Sequence, residues 1–309
     1  MNITIEKSNL KGTALAPPSK SYAHRMLICG ALSAVCRDIQ GVPENAKRSI
    51  IRGISGSEDM LATLDCAKAL GVSWSRDEDT VTFEGSSKEN ASYVFPCRES
   101  GSTLRFFIPI AVALAEGGIF TGAERLMERG VDVYKELFEP LGVKIEEKGG
   151  SGIEVRGALK SGTYRVRGDV SSQFVSGLLF ALPLLEGDST VELIPPVESR
   201  SYIDITLDAM KSFGVNIIKE SERVFRIPGG QKYLPESCRV EGDWSNAAFL
   251  LAFNAIDPEN SVEVMGLNRD SFQGDKVCEA YLKALAQEKS PIDLTDCPDL
   301  GPVLFASCA

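Results

Sequence analysis

The densest chemistry in the chain lies at PPSKSYAHR, residues 17–25. Two prolines fix the approach. Ser19, Lys20, Ser21, His24 and Arg25 then crowd against the apolar run Met26-Leu27-Ile28. That junction reads as the start of a helix, where unpaired N–H groups and the positive end of the macrodipole attract anions. Ser21 carries the side chain of an N-cap. Lys20 is electrostatically out of place there unless an anion is bound. Arg25 follows Ser21 by four residues and shares its helix face. Ser21 and Lys20 have plainer readings too: a capping serine and an exposed loop lysine. His24 reads as structural.

Comparable chemistry recurs downstream. In ESGSTLRFF, Gly101 would let a ligand approach the backbone where a side chain would block it, or it is an ordinary turn glycine. Ser171, Ser172 and Gln173 open an apolar helical pattern, and their hydroxyls, amide and free N–H groups could cradle a phosphate or simply cap the helix. Arg125 and Arg129 are four apart and share a face if that segment is helical. One His and eight Cys without a CxxC argue against a zinc site, and no metal is expected.

The elements that must position these residues repeat along the chain. LDCAKALGVSWS (64–75), KELFEPLGVKIE (135–146) and LDAMKSFGVNII (207–218) are each an amphipathic helix, a Gly and a Val that opens a strand. Gly71, Gly142 and Gly214 are spaced by 71 and 72 residues and fit the left-handed position that ends a helix. Each segment is followed by a second strand, at 80–85, 152–157 and 223–229. A polar loop leading into an apolar helix recurs in the same rhythm, with Ser102, Ser172 and Ser245 70 and 73 residues apart. PENAKRSIIRG (43–53) reads as a polar insert. One βαβαββ unit of about 70 residues, used repeatedly, accounts for the pattern. Three units fill 14–229, a fourth runs to about 294, and a fifth begins at DCPDLGPVLFASCA and stops within an apolar helix. The second domain is therefore expected to be incomplete.

Bulk properties fit this reading. The chain has 309 residues, enough for about two domains. Its net charge of −10 argues against nucleic acid or anionic membranes as partners, but not against a small anion, which feels local charge. No apolar signal core opens the sequence, and its longest apolar stretches are too short and interrupted to span a bilayer. Scattered Cys fit reduced thiols, so a soluble, cytoplasmic protein is expected.

On these loops the chain closely resembles the enolpyruvyl transferase family, in its 3-phosphoshikimate branch. The matching stretches are PSKSYAHR (18–25), ESGSTLR (99–105), TGAERLMERG (121–130), SSQF (171–174), SRSYIDIT (199–206), EGDWSNAAF (241–249) and DCPDLGP (296–302). The resemblance implies an α/β (α+β) fold of two domains, each of three βαβαββ units with helix N-termini facing a central cleft. Residues 14–229 would be the complete domain, and 1–13 with 230–309 the partial second one. The implied reaction moves the enolpyruvyl group of phosphoenolpyruvate to the 5-hydroxyl of shikimate 3-phosphate and releases phosphate. It passes through a tetrahedral intermediate and needs no cofactor.

The resemblance also assigns roles. Lys20, Ser21, Arg25, Ser171, Ser172, Gln173, Ser199, Tyr202 and Asp299 would bind shikimate 3-phosphate. Lys20, Gly101, Arg129 and Gln173 would bind phosphoenolpyruvate, with glyphosate also against Gly101. Asp299 and Lys20 would be catalytic, Asp299 taking the hydroxyl proton; the alternative for Asp299 is a helix cap. Arg105 is expected to be structural, Arg125 to lie outside the first ring of contacts, and Asp243 to be structural or at the hinge; Asp204 is either a substrate contact or only the cap of the helix that follows. Arg200 is either a phosphate contact or exposed. The implied acid partner and further cations lie beyond Ala309, so the chain alone is expected to be inactive. A monomer is expected. The alternatives are the UDP-N-acetylglucosamine enolpyruvyl transferase, which normally shows a Lys-Asn pair at the first loop and a reactive loop cysteine absent from 123–130, and a non-catalytic anion-binding fragment.

Overall fold

Gly71, Gly142 and Gly214 all adopt positive φ, at +82°, +86° and +78°. Each ends a helical segment where a side chain would be strained, and each turns the chain into its next strand. They punctuate a computed structural model that describes residue 4 and residues 9–36, 47–149, 152–287 and 291–308. The chain divides into two compact units, Lys20–Val240 and the smaller Met1–Ser19 with Glu241–Ala309.

β1 (Lys11–Leu15) belongs to the smaller unit. The larger unit opens with α1 (Lys20–Val35), β2 (Ser49–Arg52), α2 (Glu58–Ala69), β3 (Val72–Asp77) and β4 (Thr80–Ser86). Next come β5 (Val94–Pro96), α3 (Gly101–Ala115), β6 (Gly117–Thr121), the short α4 (Glu124–Met127), α5 (Asp132–Phe138), β7 (Lys144–Glu147) and β8 (Gly152–Arg156). The last full copy is β9 (Thr163–Arg167), α6 (Ser172–Ala181), β10 (Ser189–Ile194), α7 (Arg200–Ser212), β11 (Ile218–Ser221) and β12 (Val224–Ile227). β13 (Ser237–Arg239) closes the unit.

Three four-stranded sheets share one topology: β5-β6-β8-β7, β9-β10-β12-β11 and β13-β2-β4-β3. In each, the first pair is parallel and the other two pairs are antiparallel. The first copy differs from the expected continuous unit. Its opening strand is β13, which reaches β2 from the far end of the unit and pairs Cys238 with Ile51. The stretch 43–53 is likewise more than an insert, because Ser49–Arg52 is β2 itself; residues 43–46 lie outside the described residues.

α1, α3 and α6 are apolar nearly all round, as helices enclosed by protein must be. Residues 22–34 of α1 are all buried. α1 packs on α2 and α7, α3 on α2 and α6, and α6 on α7, a closed ring of five helices. Leu27, Ile28, Phe106, Ile108, Leu178 and Phe180 fill its centre, each at most 1% exposed.

The smaller unit pairs β1 in parallel with β14 (Ser261–Met265), matching Lys11 to Ser261 and Leu15 to Met265. α8 (Trp244–Ile256), α9 (Cys278–Ala286) and α10 (Gly301–Ser307) pack around Trp244, Ala248, Leu282, Leu300 and Val303. Here the opening strand of the α8 copy is β1, from the N-terminal end. The first and fourth copies each take their first strand from a distant part of the chain.

Candidate functional site

The five helices are tied side chain to side chain within the larger unit. Lys20 at the start of α1 pairs with Asp59 in the first turn of α2. Asp59 also accepts from Ser100, the N-cap of α3. On α3, Ser102 accepts from Gln173 Nε2 of α6 at 2.8 Å, and Arg105 Nη1 donates to Gln173 Oε1 at 2.6 Å. From α6, Ser176 meets Thr206 of α7 at 2.8 Å. Thr206 accepts from Arg25 Nε of α1 at 2.7 Å, which closes the circuit.

Arg25 is only 3% exposed. Besides Thr206 it donates to the Ser21 carbonyl at 2.8 Å and to the Tyr202 carbonyl at 2.9 Å. Its guanidinium also faces the rings of Phe106 and Tyr202, 5.4 and 5.9 Å from the centroids. Burial lowers its pKa to about 10, against smaller opposing effects of Tyr202, Tyr22 and Cys29. Hydrogen bonds from a charged donor contribute about 1.5–3 kcal/mol each, so Arg25 fixes Ser21 and Tyr202 relative to one another.

A second cationic focus surrounds Gly101. A Cβ at that position would lie 3.6 Å from Arg129 Nη1 and 3.9 Å from Arg105 Nη1. Two guanidiniums thus face the open side of one glycine. Arg105 stacks over Phe174, 4.8 Å from its centroid. Burial lowers its pKa, Tyr134 opposes this, and the neighbouring charge of Arg129 lowers it further. Neither arginine makes an ion pair among the described residues. Such a pair is electrostatically incomplete and is relieved by an anion.

The third feature is Asp59. Burial opposes its ionisation, but hydrogen bonds from Lys20 and Ser100, with the Lys20 charge, hold its carboxyl below the usual value. Lys20 is thereby anchored as a cation at a helix start. His24 sits behind it, 2% exposed, with neither ring nitrogen hydrogen-bonded and its ring edge-on to Phe106. Burial drives its pKa down to about 3, against the field of Asp59, so it is a neutral core residue.

Lys20, Ser21, Arg25, Gly101, Arg129, Ser171, Ser172, Gln173, Ser199 and Tyr202 all belong to this unit. Ser171 caps α6 by accepting from the Gln173 N–H at 3.3 Å, and Ser172 is its first residue. Ser199 caps α7 in the left-handed region, at φ 55° and ψ 39°, without a side-chain capping bond. Such a conformation costs about 1–3 kcal/mol in a non-glycine residue. Arg125 is exposed on the short α4. Asp299 lies in the other unit, exposed, in the turn Pro298–Leu300 ahead of α10.

One reading is corrected. Asp204 is not a cap: α7 starts at Arg200, and Asp204 pairs with Lys219 at 3.4 Å. Arg105 holds Gln173, as a structural residue does, and its guanidinium also faces Gly101. Sequence reasoning also missed Asp59, Ser102 and Thr206. Ser102 was signalled by its recurrence with Ser172 and Ser245, and Arg105 by its four-residue spacing from Gly101. Nothing local marked Asp59, whose role depends on a partner 39 positions upstream.

The family model of EPSP synthase (3-phosphoshikimate 1-carboxyvinyltransferase) matches residues 5–289. The chain belongs to the EPSP synthase family. Relatives named 3-phosphoshikimate 1-carboxyvinyltransferase include those of Clostridium kluyveri, 41% identical over 98% of this chain and 72% of the relative, and Clostridium perfringens, 38% identical over 99% and 74%. An EPSP synthase structure from Acinetobacter baumannii has the same fold, with a TM-score of 0.67 and 24% identity over 83% of this chain. This chain spans about half, 55%, of that solved chain. These findings favour the 3-phosphoshikimate branch over the UDP-N-acetylglucosamine branch.

Proposed function

We propose that this chain carries the shikimate 3-phosphate recognition of an EPSP synthase, and with it part of the transfer of the enolpyruvyl group from phosphoenolpyruvate to the 5-hydroxyl. The observation that carries this reading is the closed circuit of five helices. It holds Lys20, Arg25 and Arg105, with Arg129 facing Arg105 across Gly101, in a chain whose net charge is −10. Helix N-termini and fixed cations supply oriented donors for phosphate and carboxylate without reorganisation.

In this reading Ser171, Ser172, Gln173, Ser199 and Tyr202 hold the phosphate and ring of shikimate 3-phosphate. Ser21 and Arg25 complete that set. Lys20, Gly101, Arg129 and Gln173 receive phosphoenolpyruvate, with Arg105 added on the geometry above. Transfer requires the hydroxyl oxygen to attack C2 of phosphoenolpyruvate while C3 gains a proton. Phosphate then leaves and C3 returns the proton. Asp299 takes the hydroxyl proton, the cations balance charge on phosphate, and no cofactor enters. A monomer in the cytoplasm belongs to the same reading. Its support includes the absence, among the described residues, of a helix long and apolar enough to cross a membrane.

Calorimetric titration of the chain with shikimate 3-phosphate tests this, with UDP-N-acetylglucosamine as control. Binding of the first alone is expected. Gln173→Ala should weaken it at least tenfold, since it removes a hydrogen-bonding amide and frees Arg105 and Ser102. A folded chain that ignores shikimate 3-phosphate would refute the assignment.

A further inference from the structure

Three aspartates converge in the smaller unit from three elements. Asp243 caps α8, its Oδ1 accepting from the Asn246 N–H at 2.8 Å. Asp275 lies in the helical turn Gly274–Val277, and Asp299 in the turn Pro298–Leu300; both turns pack on α8. Asp275 is the unusual member. It is 6% exposed, and its Oδ1 is buried with no hydrogen-bond partner.

The polar groups beside it in sequence are committed elsewhere. Gln273 Nε2 donates to Glu241 and to the Gly242 carbonyl, at 2.6 and 2.9 Å. Lys276 Nζ donates to the Ser271 carbonyl at 2.6 Å, and the Ser271 hydroxyl bonds Glu241. Among the described residues, Cys278 at the start of α9 and Cys297 before the last turn also sense Asp275. Burial first, with nearby carboxylates adding, raises their thiols to about 12 and 11, so neither supplies a charge. An ionised Asp275 would therefore be a desolvated anion facing two more carboxyls, an arrangement proteins avoid by keeping a proton. Protonation also turns the orphan oxygen into a donor. Burial, then Asp299, then Asp243 raise its pKa to about 7, in agreement with the geometry.

We propose that Asp275 is a positioning residue that stays protonated beside Asp299, the exposed carboxyl placed to take a proton from a substrate hydroxyl. The inference rests on the role given to Asp299 above. Like-charge pairs divide their protons in this way, one carboxyl retaining what the other releases.

The test is a carbon-13 titration of the whole chain labelled at its aspartate carboxyls, from pH 5 to 9. One carboxyl should titrate near neutrality in the wild type. The transition should vanish in Asp275→Asn and move down by at least half a pH unit in Asp299→Asn. Carboxyls that all titrate below about pH 5, a neutral transition that survives Asp275→Asn, or one that ignores Asp299→Asn would each overturn the proposal. If Asp275→Asn does not fold, the wild type and the exposed-site Asp299→Asn still decide. Shikimate 3-phosphate titration of the same samples keeps the two readings apart. Loss of binding with an intact neutral transition strikes the function, and a missing transition with intact binding strikes this inference.

Discussion

His24 shows how far a single residue type can be read without its surroundings. Beside Lys20 and Arg25 in sequence it looks like part of the chemistry, yet its ring is buried against Phe106 with both nitrogens unbonded. Its effect on the protein is an acid sensitivity. The folded chain keeps the imidazole neutral down to about pH 3, whereas an unfolded chain protonates it below about pH 6.5. Stability is thus lost as pH falls through that window. A His24→Leu variant should gain about 2 kcal/mol relative to wild type on going from pH 7.5 to pH 5. Urea unfolding at the two pH values measures this, and a difference independent of pH would show that His24 is hydrated or bonded in solution. The residues around it illustrate what was legible. Ser171 and Ser172 announce themselves by standing before an apolar run. Asp59 and Thr206 do not, because they act through Lys20 and Arg25 across 39 and 181 residues, and no local pattern encodes a partner that far away.

At the scale of elements, the repeat was legible because each copy must end its helix the same way. A left-handed residue is needed at Gly71, Gly142 and Gly214, and glycine supplies it three times at nearly constant spacing. The exchange of first strands was not legible. β13 is only three residues long, and its sequence says nothing about which sheet edge it joins. Its bonds to β2 nevertheless complete the sheet under α1: the Ile50 N–H donates to the Glu236 carbonyl at 2.9 Å and the Val240 N–H to the Arg52 carbonyl at 2.8 Å. Val240 is buried, so Val240→Pro removes a donor that water cannot replace. Leaving the Arg52 carbonyl unpaired should cost about 1–3 kcal/mol. Trp74, in β3 of the same sheet, reports the loss as an earlier fluorescence transition. An unchanged midpoint would mean that β13 contributes nothing to that sheet.

At the scale of the molecule, the two units differ in how well they can sustain themselves. The larger buries a continuous core spanning three sheets and the helices packed on them. The smaller has a short core around Trp244 and a two-stranded sheet. It leaves Leu15, Phe249, Ile256, Met265 and Phe305 exposed, Leu15 at 77% and Phe305 at 81%. Buried apolar area drives stability at about 25 cal/mol per Å², so the smaller unit should open first. The chain contains two tryptophans, and each unit holds one: Trp74 in the larger, Trp244 in the smaller. Trp74→Phe and Trp244→Phe therefore yield chains that each report a single unit. In guanidinium, the Trp244 signal should change at a lower midpoint than the Trp74 signal. Saturating shikimate 3-phosphate should raise the Trp74 midpoint, because a ligand stabilises the state that binds it, and the phosphate-binding residues proposed here lie almost wholly in the larger unit. Coincident midpoints in the two variants would refute the difference in stability and would mean that the units unfold as one.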